Sequence, residues 1–390
     1  MIASAVSAVG MAMAVPVLVQ SAWGATLAVI ALPRPRQAII RTGAPLRWAV
    51  LVPAHNEEAF IAKCVTSIRA GGTAANVEVL VIADNCTDST ADAAREAGAT
   101  VLERHDLTRI GKSFALDYAL AHLAANDAIP DVVAIIDADS NVKPGFFASL
   151  EQRLARGATV VQALYLPGAD DRETLPALRR LAFALAHYAR PLGAERLGLG
   201  ATLKGNGMAF RWNVVAGGFG ASGITEDAAL TLALARRDIA VAFEPRAVVR
   251  AYMAPTYRDA QTQDQRWEGG RFSLLPLAIR TAARQARRGR IATAAAAMEV
   301  ASLPLTVLVG LSAGSLALAA VGFGSLTIAA ASAGMLAGST LLGLVAARAS
   351  LRDLRALAFA PRFLAHKAGV YASILRHRPA SWERTERPSN

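Results

Sequence analysis

The sequence predicts an α/β domain with a mostly parallel central sheet, held at a membrane by one apolar helix ahead of it and two behind it. Three observations carry this expectation. Across residues 46–255, apolar runs that end in polar residues alternate with helix-forming stretches. Residues 1–33 and about 291–345 are apolar and nearly free of charge. Arginines crowd the ends of those apolar tracts.

The first tract, residues 1–33, has no charged side chain. A cleaved signal peptide usually opens with Lys or Arg, and the first basic residue here is Arg34. An uncleaved transmembrane helix with its N-terminus outside fits the flanking charge better. The later tract carries one charge, Glu299. It exceeds the roughly 20 residues of a single span, so residues 291–348 read as two helices. Pro304 and Gly310 interrupt the first, and Gly322 to Ser325 offers a turn. Arg34, Arg36, Arg41 and Arg47 follow the first tract, Arg280 to Arg290 precede the second, and Arg348 to Lys367 follow it. That distribution puts residues 46–255, the segment 256–290 and the basic tail 349–390 on the cytoplasmic side. It also suits contact with anionic lipid.

Within residues 46–255, RWAVLVPAHNEE reads as a strand ending in polar residues, with a helix from Glu57 to Ala70. VEVLVIADNCTD repeats the pattern, followed by a helix over Ser89 to Gly98 and the short strand TVLE. Ser113 to Ala125 favours a helix, and DVVAIIDADS is a third apolar strand. Sheets of this kind bind ligands at the carboxyl ends of their strands.

Composition narrows the class. Hydrophobic residues are 54%, mean hydropathy is +0.34, and charged residues are 18%, below the usual quarter. A net charge of +11 would suit a nucleic-acid binder, but the basic residues flank apolar tracts, and acids end the strands. Nucleic acid is therefore not an expected partner. Two cysteines, Cys64 and Cys86, make no disulfide framework and read as ordinary thiols in a reducing compartment. Ala- and Arg-rich usage with few lysines suggests a bacterial, GC-rich gene.

The acids carry the chemistry. Asp137 and Asp139 follow the strand Val132 to Ile136 and can reach one divalent ion. Mg²⁺ or Mn²⁺ needs only one or two carboxylates when a diphosphate supplies the rest; the alternative is an acidic turn. Asp84 could accept hydrogen bonds from a nucleobase or ribose, while Asp88 is as well explained as a helix cap. His55, Asn56, Glu57 and Glu58 crowd another strand end, beyond what one cap requires. Glu226 and Asp227 open a helix, where one can serve its dipole and the pair can offer acid-base chemistry. Gly111-Lys112-Ser113 ends like a phosphate-binding loop, but the upstream glycine is missing, which excludes a P-loop nucleotidase. Gly269 and Gly270 mark either a closing segment or a turn. Phe272 to Ile279 reads as an interfacial helix. KGNGMAFRW, Lys204 to Trp212, is an acceptor-side element or a loop and buried strand. Arg179, Arg180, His187, Tyr188 and Arg190 either line an acceptor cleft at the membrane surface or form a solvated helix face, the second reading being preferred for most of them.

Together LVPAHNEE, IADNCTDST, DADS, ITED and QDQRW resemble the family 2 inverting glycosyltransferases of the GT-A fold. The last of these resembles the Gln-x-x-Arg-Trp signature of cellulose, chitin and hyaluronan synthases and ceramide glucosyltransferase-like enzymes. The resemblance spans roughly Trp48 to Arg271. It implies a nucleotide-sugar donor, usually linked to uridine diphosphate, held by Glu57, Asp84 and Lys112. It implies Asp137 and Asp139 as the Asp-x-Asp pair, with Asp139 on Mg²⁺ or Mn²⁺. Asp227 would be the base with Glu226 beside it. Gln263, Arg266 and Trp267 would close over the diphosphate and border the acceptor.

The implied reaction is a single displacement with inversion. Asp227 takes a proton from the acceptor hydroxyl, and Arg266 stabilises the leaving diphosphate. A lipid or lipid-linked acceptor is expected, because QDQRW lies just ahead of the membrane tract. The expected location is the bacterial cytoplasmic membrane, multi-pass. A processive synthase of a β-linked polysaccharide is the close alternative, and an export or assembly partner stays open with it. A non-catalytic nucleotide-sugar scaffold is the remote one.

Overall fold

The computed structural model describes residues 2–34, 46–71, 76–125, 129–168, 174–220, 226–253 and 257–376. It begins with α1 (Ile2–Ala31), then β1 (Trp48–Ala54), α2 (Glu58–Ala70), β2 (Val77–Asp84), α3 (Thr90–Glu96) and β3 (Thr100–Arg104). There follow α4 (Lys112–Ala125), β4 (Val132–Ile135), β5 (Ser140–Val142), α5 (Phe146–Ala155), β6 (Val160–Pro167) and α6 (Thr174–Phe183). A π-helical turn, Ala184–Ala189, runs into α7 (Arg190–Arg196), β7 (Met208–Arg211), α8 (Trp212–Val215), α9 (Glu226–Arg236) and β8 (Val241–Ala251). The rest is helical: α10 (Tyr257–Arg287), α11 (Ile291–Val300), α12 (Leu305–Ala320), α13 (Leu326–Ala346), α14 (Leu351–Arg355), a 3₁₀ turn Ala356–Phe359 and α15 (Ala360–Arg376).

The eight strands form one sheet in the order β3-β2-β1-β4-β7-β6-β8-β5. Strands β1 to β4 pair in parallel, as expected of apolar strands joined by helices. Beyond β4 the expectation of a mostly parallel sheet needs correction. β7 runs antiparallel to both β4 and β6, and β5 runs antiparallel to β8, so the sheet is mixed. The buried runs VVQALYLP and VAFEPRAVVRA form the long inner strands β6 and β8, which the apolar-run reading had not located. One apolar layer under the sheet gathers Val50, Ile61, Phe146 and Phe147, and the other gathers Leu51, Leu120, Phe210 and Phe243. Burial of this kind stabilises by about 1.5–3 kcal/mol per large side chain.

The start of the chain folds as reciprocal caps rather than as one acidic cluster. Asp88 accepts the amides of Thr90 and, at 3.3 Å, of Glu58, so from outside the N-cap positions Ser89 and Glu57 it satisfies one first-turn amide of α3 and one of α2. Glu58 returns the contact to the Ser89 amide. Asn56, with positive φ, accepts the Thr87 amide at 2.7 Å across the two loops instead of capping its own helix.

α1 and α13 are long and apolar enough to cross a membrane. α11 and α12 form a pair bent by 70°, and counting it as one span gives three. Pro304 stands at the bend, where it cannot continue α11 and opens α12. α1, α12 and α13 pack together, and the Ser315 hydroxyl bonds the Gly10 carbonyl at 3.0 Å. α10 is a single 31-residue helix. Gly269 and Gly270 lie inside it, so they mark no turn. α7 meets α1 at Gly193, and Arg196 donates to the Ile30 and Pro33 carbonyls at the end of α1. Residues 377–390 of the basic tail lie outside the described residues.

A Cβ on Gly193 would stand 2.3 Å from the Leu27 carbonyl oxygen on α1. Gly193→Val should therefore lower stability by about 1–3 kcal/mol. Gly24→Ala, with open space around it, should change stability little. Thermal unfolding in detergent compares the two variants directly.

Candidate active site

The carboxyl ends of β1, β2 and β4 open into a cavity of about 490 Å³. His55, Glu57, Asp84, Lys112, Asp137 and Asp139 line one part of it. Asp227, Gln263 and Trp267 line another. The cavity thus joins nearly every residue singled out from the sequence. Glu226 and Arg266 sit on α9 and α10, but their side chains lie outside the described part of the structure.

Asp84 ends β2 and is almost fully buried. Arg104 donates to its Oδ1 at 2.6 Å and also reaches Asp106 at 3.0 Å. Burial raises the Asp84 carboxyl despite the opposing pull of Arg104. Lys112 opens α4 and ties two elements together. Its Nζ hydrogen-bonds Asp137 and donates to the Gly205 carbonyl at 2.6 Å. Asp139 accepts the Ser140 hydroxyl at 3.1 Å. Among the described residues there is no cluster of three or more His, Cys, Asp or Glu that could cage a metal. Two hard oxygen donors at one strand end instead fit a divalent ion that a diphosphate helps to hold.

The loop Leu203 to Gly207 gives the site its shape. Asn206 is fully buried, accepts the Asp137 amide and donates to Ser140. Gln162 accepts the Lys204 amide and donates to the Asn206 carbonyl. Gly207 adopts positive φ, and a Cβ there would meet Val249 at 2.7 Å. Asp227 sits beside this loop. Its Oδ1 accepts the Ala228 amide at 2.8 Å, and burial raises its carboxyl against the pull of Lys204, Lys112 and Arg271.

Sequence reasoning left four cavity residues without a role or with a bland one. His187, which was assigned to a solvated face, is enclosed between Tyr165 and Phe183 by the π-helical turn. Its Nδ1 bonds the Tyr165 carbonyl at 3.1 Å, so Nδ1 carries the proton and Nε2 is an acceptor. Burial, aided by the charge of Lys204, holds it well below the usual histidine range. Lys204, Arg271 and Glu299 line the same end, and Arg190 grips Glu299 with two bonds of 2.8 Å. The acceptor-side reading of KGNGMAFRW and the lone acid in an apolar tract were the signals available for this cluster.

α10 is fixed from both sides through Asp264. Arg179 on α6 donates to Oδ1 at 2.9 Å, and His366 and Lys367 on α15 approach Oδ2 at 3.2 and 3.3 Å. Lys367 also reaches Glu268 at 3.0 Å.

The glycosyltransferase like family 2 matches residues 45–270, more than half of the chain. The chain belongs to this family. A curated glycosyltransferase named 4,4'-diaponeurosporenoate glycosyltransferase, from Staphylococcus haemolyticus, is 35% identical over 95 residues. That match covers 23% of this chain and 24% of the relative, so the chain spans about a quarter of that protein's length. The mannosyltransferase PcManGT from Pyrobaculum calidifontis, solved with GDP-Man and Mn²⁺, superposes with a TM-score of 0.58 at 19% identity. The superposition covers 95% of this chain and 99% of that one, which makes it a likeness of whole fold. Glucosyl-3-phosphoglycerate synthase from Mycobacterium tuberculosis, solved with Mn²⁺, UDP-Glc and phosphoglyceric acid, overlaps 59% of this glycosyltransferase and 82% of its own chain, at 24% identity and a TM-score of 0.42. The family match and the PcManGT superposition give a GT-A-like fold, with a mixed sheet and two or three candidate membrane helices.

Burial raises the Asp264 carboxyl, but the His366 hydrogen bond and the charges of Arg179 and Lys367 carry it below its usual value. A depressed carboxyl contributes stability above its unfolded pKa of about 4 and loses it as pH falls through the folded value. The unfolding temperature should drop on acidification below about pH 4. Asp264→Asn should start lower and drop less, with a cost of about 3–5 kcal/mol for stranding the buried cations.

Proposed function

We propose that this glycosyltransferase moves a sugar from a nucleoside diphosphate to a lipid or lipid-linked hydroxyl at the cytoplasmic face of a bacterial membrane. The supporting observation is that one cavity holds the strand-end acids, Asp227, Gln263 and Trp267 together. The division proposed is a membrane helix at 1–33, a catalytic domain at 46–255, a Gln-x-x-Arg-Trp segment at 256–290, membrane helices at 291–348 and a basic tail at 349–390. A uridine diphosphate donor follows from the motif resemblance.

Glu57 and Asp84 hold the base and ribose, with Arg104 keeping Asp84 in place. Asp137 and Asp139 would hold Mg²⁺ or Mn²⁺, whose charge would offset that of the diphosphate. Lys112 stands next to them as a further cation. Asp227, at the head of α9, takes the acceptor proton as oxygen bonds to the anomeric carbon.

 The bond from that carbon to the diphosphate oxygen breaks, and the pair of electrons leaves with the nucleotide. Attack from the opposite side inverts the sugar carbon. Trp267 offers an apolar ring face to the sugar, and Arg266 suits the leaving phosphate through its forked donors. Gln263 and Glu226 border the acceptor side.

The testing experiment incubates detergent-purified protein with a panel of nucleotide sugars, Mn²⁺ or Mg²⁺ and a membrane-lipid extract, and reads nucleotide release and product mass. One sugar added to a lipid is the expected product. A ladder of sugars would replace single transfer by processive synthesis, and no release with any donor would contradict the proposal. Asp227→Asn should cut turnover by at least about 100-fold while nucleotide binding persists. Because burial raises the Asp227 carboxyl, activity should fall on acidification at a pH above the ordinary carboxylate value of about 4. A pH profile of the rate checks this.

A further inference from the structure

The cavity continues past Asp227 to Lys204, Arg271, Glu299 and His187, close to the break between α11 and α12. Charge at this end is unbalanced. Arg190 and Glu299 satisfy each other. Lys112 is engaged by Asp137 and the Gly205 carbonyl. Among the described residues, Lys204 and Arg271 enter no ion pair. The Lys204 amide meets Gln162, and the Arg271 guanidinium meets the Ser302 hydroxyl at 3.1 Å. Asp227 and Glu299 both face these cations, and with Arg190 included three cations meet two carboxylates. His187 is neutral and adds no negative charge. Positive charge is therefore left over in a partly buried site, and such charge is costly without a counterion.

We infer that the acceptor carries an anionic group, phosphate or carboxylate, that sits between Lys204 and Arg271 while its hydroxyl faces Asp227. This rests on the transferase reading above, in which the donor lies along Asp84, Asp137 and Asp139 and the acceptor enters beyond Asp227. Arg271 supplies forked donors and Lys204 a point charge, a pairing suited to either oxyanion. The ligand is lipid-borne, because Glu299 and Val300, on the α11 half of the bent apolar pair, line this end of the cavity. The state of Lys204 agrees. Burial lowers its ammonium to about 8, with Glu299 opposing the shift and Arg271 adding to it.

The test titrates full-length protein in neutral detergent with oleyl phosphate, oleate, oleyl alcohol and inorganic phosphate, and reads the unfolding temperature. Oleyl phosphate and oleate should stabilise the protein, and oleyl alcohol and inorganic phosphate at equal concentration should not. Lys204→Met and Arg271→Met should each raise the half-saturating oleyl phosphate concentration about ten-fold or more. Lys204→Arg and Arg271→Lys should keep part of the response. Lys204→Gln and Arg271→Gln replace the methionine variants if those fail to fold. UDP and GDP with Mn²⁺ are titrated in parallel, and their affinity should hold in the variants. Equal binding of the alcohol would overturn the inference. So would an equal effect of inorganic phosphate, which would make this a free-anion site, or a matching loss of nucleotide affinity, which would assign the cations to the donor. Absence of turnover with every nucleotide sugar would contradict the transferase reading and leave this binding result to be read separately.

Discussion

Asp264 is the carboxylate on which the cavity's far wall depends. It is almost wholly buried, and Arg179, His366 and Lys367 converge on it from two different helices. A buried carboxylate without such partners would be too costly to keep ionised. The same contacts hold α10 between α6 and α15. Gln263, Trp267 and Arg271 all project from α10 into the cavity, so their position follows from one charge network. The QDQRW segment is thus held in place by its interior acid, Asp264.

A second constraint works from the sheet side. Asn206 and Gln162 stitch the Leu203–Gly207 loop to β4 and β6. Lys112 then bridges that loop to Asp137. The two lysines and the carboxylates around them are positioned by backbone contacts, which favours a pre-formed site. Where this site meets the membrane helices, Arg190 and Glu299 join α7 to α11, and Gly193 lets α7 touch the backbone of α1. The apolar helices and the sheet domain are therefore fastened at this end of the cavity.

Much of this was legible in the sequence where one local pattern sufficed. Trp48 to Ala54, Val77 to Asp84 and Val132 to Ile135 read as strands because each is a largely apolar run with acids or amides at or just after its end. Pro304 gave away the break in the later tract. Asp88 was readable as a cap, and the structure gives it one first-turn amide in each of two helices. Other features needed long-range information. β6 and β8 are buried by one another, and the antiparallel entry of β7 depends on pairing no local pattern encodes. Gly269 and Gly270 suggested a turn, but packing by α11 and α15 carries the helix through them. His187 looked surface-bound because its enclosure comes from Tyr165, twenty-two residues earlier. Lys204, Arg271 and Glu299 lie far apart in the chain, and only the fold reveals them as neighbours.

The most direct measurement is an experimental structure of the detergent-purified chain with a nucleoside diphosphate sugar and Mn²⁺. The expected result has the base beside Asp84, the ion on Asp139 and Asp137 with Lys112 shifted from Asp137, and the sugar between Asp227 and Trp267. Nucleotide bound outside this cavity, or inside it with its sugar turned away from Asp227, would contradict the proposed function.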